Sequence, residues 1–454
     1  MNTAYRALKR SSRKSTVFVY ADRIILGALA SLALCVCGLA EATDGGGGEA
    51  PIVVGSVEAL QSALVPDNAG RRIVLRAGTY EISEPLVVPD GVSLQGKGVM
   101  MGDEYPIGID PLKASAIVAT PGFDADLITL GDGAMLSRLL IRQAEGSSGN
   151  TVVVGSRGPS DSVSATISEC EIVNPNAPGA GPQGPTGRGV LVTARNPNIE
   201  ADPPPHEGAD LKLSMRRSVV RSTGGASAIF GINFASDASV QLVLKNNALG
   251  GGLDYAAAVS RGGPVQGSST EVRSNGNLYF AEEGFPRPFG VRVIGGSDAP
   301  APMGWPGADD NFASFRSRND AIDGFAVGIC AIAGNLFWPE NGVSSRNTVE
   351  LRLHELVLNS LEADFALYAA YVEMDEVQPG AENLISVLGR GIQGSGAGPN
   401  YYVTAGPGLS DPGYWGIGWD EGNQLLFLGS VRHFIGSNSN LNPFPPQWQF
   451  ERLW

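Results

Sequence analysis

Histidine and cysteine are scarce in this chain of 454 residues, which holds three of the first and four of the second. His206, His354 and His433 stand far apart in Pro-Pro-Pro-His, Leu-His-Glu and Arg-His-Phe contexts. They offer neither a Ser/His/Asp arrangement nor a Cys/His metal spacing. Outside the N-terminal segment that holds Cys35 and Cys37, only Cys170 and Cys330 remain. Two cysteines so far apart make no disulfide framework, and buried free thiols are expected. Positive charge is also short, with Lys+Arg 32 against Asp+Glu 46 and a net charge of -14. Such a chain is repelled by nucleic acid and by anionic membranes, which excludes both as partners. Helix-friendly composition is lacking too: Gly 61 and Pro 30 break helices throughout. A hydrophobic content of 43% still suffices for a large core, so global disorder is excluded.

The first 42 residues read as a secretory signal. Arg6, Lys9, Arg10, Arg13, Lys14 and Arg23 form a basic region, Ile24 to Ala40 is uncharged and mostly apolar, and Ala40-Glu41-Ala42 offers small-x-small cleavage. The residues before Cys35 and Cys37 are Leu34 and Val36, which do not suit lipidation. A secreted, extracytoplasmic protein is expected, with no membrane attachment in its mature form. Its remaining chain would be still more acidic, because the signal holds six basic residues and two acidic ones. A Gly-rich linker over 43–55 follows, with four glycines from Gly45 to Gly48.

Ser56 begins the best helix candidate, a short cap over 56–70 with Glu58 in its first turn and Pro66 beyond its end. Thereafter the apolar period is two. One strand type recurs at Val163–Ile167, Leu211–Met215, Val240–Leu244, Ser268–Val272, Asn311–Phe315, Val349–Leu353 and Asn383–Val387. A second lies between the copies, as at Phe230–Phe234, Phe289–Val293 and Val327–Ala331. Insertions at 174–205 and 295–311 leave the pattern intact on both sides, as a solenoid tolerates. The spacing predicts stacked parallel coils over 71–405 and an aromatic-rich C-terminal cap over 406–454, with Trp415, Trp419 and Trp448. Met215, Leu244, Val272, Phe315 and Leu353 should stack as one inward column.

Ile73-Val-Leu-Arg-Ala-Gly-Thr-Tyr80, followed by Leu86 to Gly96, resembles the opening coil of pectin-lyase-like proteins. The detailed likeness covers about residues 56–98. It implies an all-β fold, a right-handed parallel β-helix with a short N-terminal capping helix, and a polysaccharide connection. It supplies no active site: the Gly-His-Gly and Arg-Ile-Lys elements of the hydrolases are absent.

Two features carry candidate chemistry. Arg316-Ser-Arg318-Asn-Asp320-Ala-Ile-Asp323 faintly resembles the Asn-Thr-Asp element of those hydrolases, with Asp309-Asp310 just upstream. Paired carboxylates serve glycosidic cleavage, or hold a Ca²⁺ that neutralises a uronate while Arg or Lys abstracts a proton. The same residues also make an ordinary turn between coils. The second feature is a column of charge: Arg216, Lys245, Arg273, Arg316 and His354 follow the last inward position in five successive strands. Parallel stacking would align them at about 4.8 Å. Either Glu271, Glu350 and Glu355 neutralise them, or they form a groove for an acidic polymer. The expectation is a secreted β-helix that binds or degrades an acidic polysaccharide, as lyase or hydrolase. Arg273, Arg316, Arg318, Asp320 and Asp323 are its candidate catalytic residues, and Arg216, Lys245 and His354 its substrate contacts. A non-catalytic surface scaffold or binding module is the alternative.

Overall fold

In the computed structural model, the described residues are 50–181, 184–194, 207–258, 265–283, 289–297, 308–334, 344–361, 363–368, 382–394, 400–404, 424–431 and 449–451. Parallel strands build almost everything. Each full coil contributes one strand to each of three sheets, A, B and C. In one coil these are Asp210–Arg216 (A), Val219–Ser222 (B) and Ile229–Asn233 (C). Sheets A and B together hold 22 strands, and Leu384–Gly394 serves both. Sheet C holds 10. The fold is a right-handed parallel β-helix, the architecture implied by the pectin-lyase-like likeness, and the right hand is the one that parallel crossovers favour.

Sheet B is the strand type that sequence periodicity missed, because most of its members run only three or four residues. From Glu171–Asn174 to Val357–Asn359, a two-residue corner separates each from sheet A. Its first residue is left-handed, at Glu169, Arg217, Asn246, Gly276, Asn319, Glu355 and Gly391. The second is buried, and from Ser218 to Asp320 it builds a polar ladder. Asn247 Oδ1 accepts from the Ser218 amide at 3.0 Å, Asn277 Oδ1 from the Asn247 amide at 2.8 Å, and Asp320 Oδ1 from the Asn277 amide at 2.7 Å. A second ladder precedes sheet A: Asn311, Asn347 and Asn383 accept from the amides of Ser268, Asn311 and Asn347. Buried backbone donors at the corners thus find partners that strand pairing does not supply.

The inward column differs from the sequence expectation by one step of the pleat. Met215 does stack on Leu244, but Leu244 faces Ser274, and the column runs on through Ser317 to Leu353. Val272 and Phe315 belong to the adjacent column, Leu213–Leu242–Val272–Phe315–Leu351. All stay inward, since a shift of two preserves the face. The strands of the later copies extend past their last large apolar residue with an inward serine, which periodicity does not flag. Phe315 sits between Tyr255 and Tyr279, with ring centroids 6.5 and 6.4 Å away.

The helix α1, Val57–Ala63, is capped by Ser56 Oγ, which accepts from the Ala59 amide, and buries Leu60 and Ala63 against the first coils. Ile52–Val54, within the stretch read as a linker, already pairs with Arg72–Leu75. Beyond residue 405, Gln424–Val431 and Gln449–Glu451 continue sheet A through the stretch read as a C-terminal cap. The signal segment, Trp415, Trp419, Trp448, His206 and His433 lie outside the described residues. Among the described residues no helix is long and apolar enough to cross a membrane.

Candidate functional site

The outer face of sheet A gathers cations along two ladders rather than the single column read from the sequence. In the first, Ser168, Arg216, Lys245, Asn275, Arg318, His354 and Arg390 succeed one another across the strands. In the second, set back by two residues, Ser214 and Val243 lead into Arg273, Arg316 and Arg352. The split has the same origin as the shifted inward column: Arg273 and Arg316 follow Val272 and Phe315, which sit one pleat step before Leu244 and Leu353. Arg352 and Arg390 therefore join a face that alignment on the last apolar residue had left without them.

A third ladder sets the electrostatics. It runs Lys212, Gln241, Glu271, Ser314, Glu350, Ser386. Glu271 lies 3.9 Å from the Arg273 guanidinium on its own strand, and Glu350 accepts from Arg352 Nε. Arg216 Nε donates to Ser168 Oγ at 3.0 Å. Arg318, Lys245 and Arg390 are exposed, and among the described residues no carboxylate pairs with them or with Arg316. Arg316 is half-buried and its Nε has no hydrogen-bond partner; the same holds for His354 Nδ1 and for the Ser314 hydroxyl, which is fully buried. At its N-terminal end the face opens into a cleft of about 610 Å³, lined by Val53, Val74, Arg72, Lys97, Arg138 and Arg217 among others.

The residues proposed for catalysis do not converge. Arg273, Arg316 and Arg318 share the outer face of sheet A. Asp320 is the last rung of the corner ladder, 1% exposed, accepting from the Asn277 amide and side chain and from Ser317 Oγ. Burial pushes its carboxyl above the ordinary range despite those donors. Asp323 lies on sheet B, where it accepts from Asn359. Asp309 and Asp310 both bind Arg346, which holds the Asp310 carboxyl below the usual range. Among the described residues no group of acids, cysteines and histidines forms a metal cluster. Sequence reasoning had no signal for Ser314, which is set apart only by the glutamates that flank it on the neighbouring strands.

No family model matches the chain, and no curated protein does. Solved structures to which it is similar include the following three. Tailspike protein 2 of an Escherichia coli bacteriophage is 8% identical with a TM-score of 0.41, covering 87% of this chain and 43% of its own. The A-module of a mannuronan C-5 epimerase from Azotobacter vinelandii is 15% identical, TM-score 0.36, covering 80% of this chain and 98% of its own. The catalytic domain of a GH87 alpha-1,3-glucanase in complex with nigerose is 14% identical, TM-score 0.34, covering 78% and 67%. The chain spans less than half the length of the tailspike protein.

Proposed function

We propose that this protein is exported and binds an acidic polysaccharide along the outer face of sheet A. One observation carries the reading: a chain of net charge -14 concentrates Arg216, Lys245, Arg316, Arg318 and Arg390 on one face with no carboxylate partner among the described residues. A field that repels polyanions overall must be overcome locally, and cations on successive strands about 4.8 Å apart do that for an extended polymer. Mutual repulsion within the ladders is relieved when an anion lies along them. Arginine suits carboxylate and sulfate because its planar fork donates two parallel hydrogen bonds.

The catalytic version of this reading has less support. Glycosidic cleavage by two carboxylates needs both to face one substrate, and Asp320 and Asp323 face the interior and sheet B. Binding is therefore the conclusion, with the protein acting as a glycan-holding surface module. Affinities for polygalacturonate, alginate, a sulfated glycosaminoglycan and neutral dextran, measured across ionic strength, test it. Acidic glycans should bind, with affinity falling as salt rises past physiological levels. Preference for dextran would overturn the proposal. Absorbance at 235 nm and a reducing-end assay on the same mixtures report any elimination or hydrolysis. Sequencing the N-terminus of the exported protein tests cleavage after Ala42.

A further inference from the structure

The three central strands of the face repeat one short pattern with one interruption. Glu271-Val-Arg273, Ser314-Phe-Arg316 and Glu350-Leu-Arg352 lie side by side, so the ladder Glu271–Ser314–Glu350 runs parallel to the ladder Arg273–Arg316–Arg352. The outer two arginines each have a glutamate two residues back on the same strand, and each pairs with it. The middle strand puts serine there. Arg316 consequently has no ion pair among the described residues, its Nε is unpartnered, and beside it in the parallel ladder stands Ser314, fully buried with its hydroxyl unpartnered. A glutamate at 314 would supply the missing partner, as it does on both sides.

The structure assigns to this interruption a single-oxyanion site: Arg316 is the anchor for one carboxylate or sulfate carried on a sugar of the polymer, and Ser314, buried where the flanking strands hold glutamate, leaves it without a carboxylate on its own strand. This rests on the proposed binding along sheet A and gives it a register. Arg352 is hydrogen-bonded to Glu350 and Arg273 lies at ion-pair distance from Glu271, so among the described residues Arg316 is the one of these three arginines without a carboxylate. The exposed cations Arg318 and Lys245, one ladder over and without a carboxylate partner among the described residues, steer the chain without fixing its position, because exposed charges in water attract weakly and without direction.

Adding a carboxylate where the pattern lacks one is the direct test. Ser314→Glu should weaken binding of oligogalacturonate about tenfold, since an internal partner then occupies the charge-assisted bonds that the ligand needs. Gln241→Glu adds the same charge to the same ladder two strands away, and should cost less than about threefold because it acts only through the screened field. Glu350→Gln removes the partner of Arg352 and should strengthen binding by about threefold, a gain that damage to the fold cannot imitate. Heparin and dextran as parallel ligands separate sulfate from carboxylate recognition and charge from sugar. Equal effects of Ser314→Glu and Gln241→Glu, or no gain from Glu350→Gln, would overturn the site while leaving face-wide binding intact. If Ser314→Glu does not fold by circular dichroism, Glu350→Gln and Arg316→Lys decide, the latter being expected to lose affinity although it keeps its charge. A parent protein that binds no acidic glycan at low salt ends both proposals.

Discussion

Arg273 and Arg316 stand directly opposite each other on neighbouring strands of sheet A, yet only Arg273 has a carboxylate on its own strand. Two like charges so placed repel, and the glutamate offsets that repulsion on one side alone. The double substitution Arg273→Ala with Arg316→Ala should therefore lower affinity for an acidic glycan by roughly tenfold at low ionic strength, with a smaller difference at high salt. Melting temperature should barely move, because both side chains point outward. Titrations at two salt concentrations check it, and equal binding by mutant and parent would remove the ladders from consideration.

The corner ladder is a structural device, and its last rung should behave as one. Asp320→Ala leaves the Asn277 amide and the Ser317 hydroxyl without their acceptor, and should cost about 2–4 kcal/mol in denaturant unfolding. Asp320→Asn retains an acceptor for the amide and should cost much less. Glycan affinity should be unchanged in Asp320→Asn; a large loss of binding there would return Asp320 to the functional site.

Asp364 gives the stability a pH dependence. It is buried on sheet C, and burial raises its carboxyl to about 6, against an ordinary value of 3.8. A carboxyl raised in the folded state favours folding while protonated. Its contribution is thus full below about pH 4 and is lost as pH rises through about 6. Asp364→Asn should leave stability at pH 4 nearly unchanged and raise it at pH 8 by roughly 1–3 kcal/mol. Chemical denaturation at the two pH values measures this. A mutant equally destabilised at both would show that Asp364 is needed as an acceptor rather than tolerated as an acid.

Cys170 is fully buried, and burial pushes its thiol up to about 12. With so little thiolate at neutral pH it should resist alkylation in the native protein and react fully in denaturant. Peptide mapping after iodoacetamide treatment follows it directly. Rapid native labelling would mean that the corner between sheets A and B opens.

Glu355 occupies the left-handed corner position with φ 52°, where the next coil has Gly391 at φ 68°. Replacing it by glycine should stabilise the fold by up to about 1 kcal/mol, since a side chain in that conformation is strained. The same change at Gln241, in an extended strand, should be destabilising, and the contrast in melting temperature is the check.

Much of this architecture was legible because the apolar period and the inserted loops survive in plain view from Val163 to Val387. Sheet B was not, because Ala248–Gly250 or Ala321–Asp323 is too short to show a period, and its entry depends on a left-handed residue that can be Arg, Asn, Glu or Gly. The basic face was half legible. Arg216, Lys245, Arg273, Arg316 and His354 were recognised as outward, but their alignment assumed that each strand ends at its last large apolar residue. Ser274 and Ser317 are inward too, held through Tyr279 and Asp320, and small polar residues inside a core leave no hydrophobic mark. The place of Asp320 in the corner ladder was not legible for the related reason that a ladder acid and a catalytic acid look alike in one dimension.

Because every rung of sheet A is set by backbone pairing, the spacing of the backbone positions that carry its cations is fixed, and only the side chains can adjust to what lies on it. The face behaves as a ruler graduated in coils of about 4.8 Å. On the proposed binding, a polymer anchored at Arg316 whose charges repeat at that interval, or at a whole multiple of it, also keeps its charges over the steering cations on either side. One with any other repeat drifts out of phase by a fixed amount at each sugar. Discrimination between two polymers of equal charge density therefore grows with oligomer length, and is smallest for the shortest fragments that still reach Arg316.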